Sequence, residues 1–224
     1  MPKKNKQFVV IGLGRFGNSI ATTLYSMGHD VLAIDKDLEL VEDIAEQVTH
    51  AVRLDATDEA AFKAIGLRNF DVAIVCIGGD IQASILVTML CKEQGVPFVL
   101  AKAMGELHAK VLARVGADRV IFPERDMGVR VAHNLVTTNI LEYIELSQDY
   151  SLVEIEVPKA WNGQTMRELN LRVRYGINVV AIRHPDGGIT VSPMGSDALS
   201  AGDVLIAVGS VDAINKLDDL SVRG

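Results

Sequence analysis

Two hydrophobic rhythms run along this chain, and the point where one gives way to the other divides it. Phe8 to Ile11 is an unbroken apolar run, three of its four residues β-branched, the signature of a strand buried on both faces. A helical stretch from Asn18 to Met27 follows, then a strand from Asp30 to Ile34. The exchange repeats. Strands are predicted at His50–Leu54, Val72–Ile77, Phe98–Ala101 and Arg119–Phe122, and helices at Leu38–Gln47, Glu59–Ile65, Asp80–Glu93 and Glu106–Val115. Six strands joined by five helices predict an α/β, Rossmann-like, doubly wound parallel sheet, because such crossovers are right-handed.

After Pro123 the pattern changes. Apolar residues at Val129, Ala132, Leu135, Val136, Ile140, Leu141 and Ile144 predict one long helix from Glu124 to Glu145. Its apolar side needs a partner, either its own domain or an identical subunit. From Ser151 the rhythm is that of strands: one through Leu152, Ile155 and Val157, then Val179–Arg183, Ile189–Ser192 and Val204–Val208. Helices are expected at Thr165–Tyr175 and Val211–Leu217. The chain is thus divided into 1–122, a crossover helix within 123–148, and a small α+β domain over 149–224.

Composition narrows the class. With 224 residues, 49% hydrophobic and 23% charged, the chain is globular, and its formal charge of −7 argues against a general nucleic-acid binder. No apolar run approaches the ~20 residues a bilayer span needs. The basic start has no signal-peptide core after it, so a cytoplasmic chain is expected. Two cysteines, Cys76 and Cys91, sit in apolar periodic stretches without metal-ligand spacing and read as buried free thiols.

The chemistry gathers at the predicted strand ends. The first strand runs into Gly12, Gly14 and Gly17, the G-x-G-x-x-G spacing between strand and helix that lets a pyrophosphate approach the backbone at a helix head. Asp35 ends the second strand 21 residues after Gly14, where a ribose-binding carboxylate belongs, and its charge disfavours a 2′-phosphate. Asp55 ends the third strand, where an adenosine contact and plain turn formation both fit. Gly78 and Gly79 follow the fourth strand and Lys102 ends the fifth, a phosphate contact or a solvated lysine. Arg15 stands inside the glycine loop, where a guanidinium reaches a terminal phosphate or turns outward. Glu124 suits the first turn of its helix without any ligand role. Histidines at 29, 50, 108, 133 and 184 form no cluster, and the second domain offers no acid/base set beside a nicotinamide, so the nucleotide is expected to be sensed and not consumed.

Jointly, G-L-G-R-F-G-N-S, Asp35, L-D-A-T-D, V-C-I-G, A-K-A and F-P-E-R-D-M-G resemble an RCK domain. The stretches W-N-G-Q-T-M-R-E-L-N-L-R and Y-G-I-N-V-V-A-I-R resemble its C-terminal companion. Over essentially its full length the chain is similar to the cytoplasmic gating subunits of Ktr-type potassium uptake systems, related to Trk regulators. The resemblance implies homodimers forming an octameric ring on a membrane-embedded potassium-translocating subunit, gated by ATP against ADP. It implies a binding set of Gly12, Gly14, Arg15, Phe16, Gly17, Asp35, Lys36, Asp55, Ala56, Thr57, Ile77, Gly78, Lys102 and Glu124. Arg15 would meet a γ-phosphate. Glu124, with its dimer mate's copy, would hold a Mg, Ca or Na ion between nucleotides. Cyclic di-AMP would meet Ile177, Asn178, His184 and Pro193. An NAD(H)-responsive regulator of a Trk-type transporter, or an NAD-dependent oxidoreductase, stands as the alternative.

Overall fold

The computed structural model describes residues 5–136, 140–147 and 149–221 and divides into two compact units, one up to Pro123 and one from Glu124. In the first unit β1 (Gln7–Ile11), α1 (Arg15–Ser26), β2 (Asp30–Asp35), α2 (Leu38–Ile44), β3 (His50–Arg53) and α3 (Glu59–Ala64) precede β4 (Val72–Val75). Then come α4 (Ile81–Glu93), β5 (Phe98–Lys102), α5 (Glu106–Arg114) and β6 (Arg119–Ile121). The strands form one parallel sheet in the order β3-β2-β1-β4-β5-β6. Strand order reverses between β1 and β4, which leaves a crevice at their carboxyl ends.

Period-2 geometry explains why the central strands β1 and β4 are apolar on both faces. Val9, Ile11, Ala73 and Val75 face one helical layer, with Phe62, Val87, Leu90 and Leu112; Val10, Val31, Ala33 and Ile74 face the other, with Ala21, Val41 and Ile44. Cys76 and Cys91 are buried free thiols, and desolvation pushes each up to about 12.

The second unit departs from the sequence expectation at two places. The long helix stops early: α6 covers Pro123–Val136, and the stretch read as its continuation contains β7 (Ile140–Glu145), while residues 137–139 lie outside the described residues. β7 pairs antiparallel with β8 (Tyr150–Glu156), and its register shifts between Ile140 and Glu142. The extra residue turns Ile140 and Tyr143 to the same buried side although they are three apart. The helical spacing expected here runs through Leu141 and Ile144, which the strand leaves exposed.

The expected helix over Thr165–Tyr175 is broken into α7 (Met166–Leu169) and α8 (Leu171–Tyr175). Asn170 between them takes φ 44, a left-handed conformation that Asn tolerates better than most residues. Thr165 and Glu168 cap α7 reciprocally. With β9 (Asn178–Arg183), β10 (Ile189–Val191), β11 (Val204–Ser210) and α9 (Val211–Ser221), the unit forms an antiparallel sheet in the order β10-β9-β11-β8-β7. Val153, Ile155, Leu205 and Ala207 make its core with Leu169 and Leu171 from the short helices and Ile214 from α9.

Candidate functional site

The glycine loop lies at the exit of β1, at the strand-order reversal. α1 begins at Arg15, three residues earlier than the apolar rhythm suggests, so Arg15, Phe16 and Gly17 form its first turn. Gly14 is its N-cap and supplies no side-chain hydrogen bond, and the first turn holds no acid. By contrast, α2, α3 and α4 are capped by the carboxylates of Asp37, Asp58 and Asp80. An uncapped helix head leaves N–H groups and positive dipole for an anion.

Each glycine has a separate reason. Gly12 sits at φ +94 with its N–H donated to the Ile34 carbonyl at 2.8 Å, and a Cβ there would stand 2.9 Å from the Cys76 carbonyl carbon. A Cβ on Gly17 would fall 1.9 Å from the Gly12 oxygen. Around Gly14 nothing lies within 4 Å of where a Cβ would be. Two glycines therefore serve packing, and the third leaves space.

The acids at the neighbouring strand ends are engaged differently. Asp35 accepts the Leu13 N–H at 2.6 Å with one carboxylate oxygen and the Asp37 N–H at 2.9 Å with the other. It braces the glycine loop against the head of α2, a role for which the Leu13 amide carries no sequence signal. Asp55 accepts the Thr57 hydroxyl at 2.6 Å and the Thr57 N–H at 3.0 Å. These bonds, with the Lys36 ammonium beyond, hold its carboxyl below the usual carboxylate range. Ala56 between them is buried, and Arg53 Nε donates to the Lys36 carbonyl at 3.2 Å.

On the other side of the crevice Lys102 is 8% exposed, unusual for a lysine, with its ammonium 5.8 Å from the centre of the Phe16 ring. Its Nζ and the Met104 sulfur each lie 3.7 Å from where a Cβ on Gly78 would stand, ordinary contact distance, which sets both groups over the exit of β4. Ile77 is half-buried beside it. Arg15 is exposed and makes no hydrogen bond or ion pair among the described residues. Gly12, Gly14, Arg15, Phe16, Gly17, Asp35, Lys36, Asp55, Ala56, Thr57, Ile77, Gly78 and Lys102 thus all lie at the carboxyl edge of one sheet, whereas Glu124 opens α6 in the second unit.

Residues 8–123 match the TrkA-N domain and residues 152–221 the TrkA-C domain. The chain belongs to the TrkA-N/TrkA-C (RCK) family. Among its relatives is the Ktr system potassium uptake protein C of Bacillus subtilis, 47% identical over 95% of this chain and 96% of that protein. The GsuK RCK domain structure shares the fold at a TM-score of 0.67 and 17% identity, over 98% of this chain and 48% of the solved one. GsuK bound to ADP superposes at a TM-score of 0.50 with 25% identity, over 60% of this chain and 34% of that one.

In the TrkA-C part the four residues named from the sequence do not share one environment. Ile177 is buried, its Cγ2 only 2.9 Å from where a Cβ on Gly209 would stand. Asn178 is exposed at the start of β9, and Pro193 is half-buried after β10. Both ring nitrogens of His184 are engaged, Nδ1 with Asp203 and Nε2 with Thr190, each at 2.9 Å. Asp203, almost wholly buried, also accepts the Ser200 N–H, so His184 fastens the β9–β10 hairpin to the turn before β11. Among the described residues no group of three metal-ligating side chains gathers, and no helix is long and apolar enough to cross a membrane.

Proposed function

We propose that this chain is the nucleotide-sensing regulatory subunit of a potassium uptake system. On this reading it is a cytoplasmic protein that gates a membrane-embedded potassium-translocating partner according to whether ATP or ADP fills the TrkA-N crevice. The observation that carries the reading is an uncapped α1 head, open at Gly14 and flanked by Asp35 and Lys102, in a chain that aligns end to end with a Ktr potassium uptake protein. The ADP complex of GsuK, on the same fold, supports a nucleotide diphosphate as one occupant. Nothing in the reading requires a chemical step. A ligand gates by favouring one shape, and ATP must bind that shape better than ADP does.

Titration calorimetry of the purified chain with ATP, ADP and NADH tests the proposal. Tighter binding of ATP and ADP than of NADH is expected, and equal weak binding of all three overturns it. NADH binding best would move the chain to the NAD(H)-responsive alternative. Within the same series Arg15→Ala should weaken ATP roughly ten-fold more than ADP, since an exposed guanidinium at the loop is placed for the terminal phosphate. Equal losses would remove Arg15 from that role.

Assembly as homodimers within an octameric ring is part of the proposal. Its support is α6, whose described side chains from Glu124 to Ala132 are all exposed, Met127, Val129 and Val131 included. These exposed apolar positions are the surface a dimer mate would cover. Glu124 brings one carboxylate per chain, so a Mg, Ca or Na ion there would draw on nucleotide oxygens and the dimer mate's Glu124. Glu124→Gln is expected to abolish cation-dependent tightening of ATP binding, and an unchanged cation response argues against the site. Cyclic di-AMP on the stretch carrying Ile177, Asn178, His184 and Pro193 completes the proposal.

A further inference from the structure

We infer that His108 is a positioning residue of the nucleotide rim, a proton-sensitive latch on the turn that carries Lys102 and Met104. The inference deepens the nucleotide-binding reading and rests on it. His108 is the third residue of α5, 4% exposed, and its Nδ1 accepts the Met104 N–H at 3.2 Å. A ring nitrogen that accepts carries no hydrogen, so the imidazole is neutral with its hydrogen on Nε2. That Nε2 is buried and has no partner among the described residues. The ring's one hydrogen bond is the one to Met104.

What that bond holds is the corner after β5. The Ala103 N–H is pinned to the Ile121 carbonyl of β6 at 2.9 Å, and His108 pins the next amide. Gly105, the N-cap of α5, offers no side chain, so His108 does the capping from inside the helix, one residue further out. The corner sets where Lys102 Nζ and the Met104 sulfur stand over Gly78, beside the glycine loop.

A proton on Nδ1 would turn the acceptor into a donor and leave two N–H groups facing each other. It would also put charge into a buried site. The charged groups on the elements around α5 are Asp80, Lys92 and Glu93 at and along α4, Lys102 on β5 and Arg119 on β6, with Glu106, Lys110 and Arg114 on α5 itself. Burial is what lowers the His108 pKa below its ordinary 6.5. The neutral ring is therefore favoured by folding. The stability the neutral ring contributes is fully present above the ordinary imidazole value and is lost as pH falls below it towards the lowered folded value, where the folded ring takes its proton and the latch opens.

The test compares wild type, His108→Asn and His108→Leu as full chains from about pH 7.5, above the ordinary imidazole value, down to the lowest pH at which the chain stays folded. ADP affinity is measured beside amide hydrogen exchange at Met104. Asn sets an acceptor oxygen near the place of Nδ1 without titrating, and Leu keeps bulk without an acceptor. At the upper pH, His108→Leu should bind ADP roughly ten-fold more weakly, the scale of one orphaned buried donor, while His108→Asn stays near wild type. On acidification, wild type should lose ADP affinity and Met104 protection more steeply than His108→Asn. Identical acid profiles for these two overturn the inference, even if His108→Leu fails to fold. If wild type binds no nucleotide, the functional reading falls, and Met104 exchange alone decides the latch: equal protection at all pH values in wild type and His108→Asn overturns it.

Discussion

A Gly17→Ala chain is expected to lose nucleotide binding and part of its stability together. The added Cβ would lie 1.9 Å from the Gly12 carbonyl oxygen and 3.2 Å from the Cys76 Cβ, and the nearest atom is backbone that cannot swing aside. Either α1 lifts from β1 or the loop deforms, at about 1–3 kcal/mol or more for an overpacked site. Gly14→Ala provides the contrast. Gly14 has φ −58 and ψ 176, which alanine adopts, and open space around its Cβ position. That variant should melt like wild type while losing ADP affinity at least ten-fold, because the methyl group would occupy the pyrophosphate's place. Denaturant unfolding read beside ADP titration separates the two. A Gly17→Ala chain with wild-type stability would show that the loop is not packed as described.

Asp35→Asn is expected to be costly even without ligand. Both carboxylate oxygens accept backbone N–H groups, from Leu13 and from Asp37. An asparagine has one acceptor oxygen, and its amide group would face whichever N–H the oxygen does not serve. The expected loss is about 1–3 kcal/mol of unfolding free energy, the price of an orphaned donor, together with a ten-fold or greater fall in ADP affinity. Asp55→Asn is the control, since among the described residues the Asp55 carboxylate bonds to Thr57 alone, two residues away, and its loss should cost affinity with little stability. If Asp35→Asn lowers affinity but leaves unfolding unchanged, the brace between the loop and α2 is not holding the rim.

The parallel sheet and its rim were legible because buried strands between helices must be apolar on both sides, and because phosphate chemistry needs glycines at one spacing. What escaped was how those groups are occupied. Nothing in the spacing of Asp35 announces that it already carries the Leu13 amide, and nothing around His108 announces Met104. Both are contacts to backbone, which has no sequence identity. The apolar rhythm puts the start of α1 late because Gly17 resembles a loop residue, although it packs inside the first helical turn. The stretch over β7 suggests helix because Ile140, Leu141 and Ile144 continue the apolar spacing of the residues before them. Leu141 and Ile144 are exposed on the strand, and local periodicity does not contain which apolar residues a partner strand will cover.

By itself, then, the sequence of this protein determined which segments are buried on two faces, their order, and where a phosphate could meet a helix head. Those properties are local: they follow from residue size, polarity and repeat. Only the tertiary structure decided which of the three loop glycines are packing residues, which acids are already engaged, and where α6 ends and β7 begins. Those outcomes depend on the strand, helix or amide that arrives from elsewhere in the chain, as β8 does for β7 and β4 for the glycine loop. A residue's neighbours across space fix its role there, and the one-dimensional pattern does not contain them.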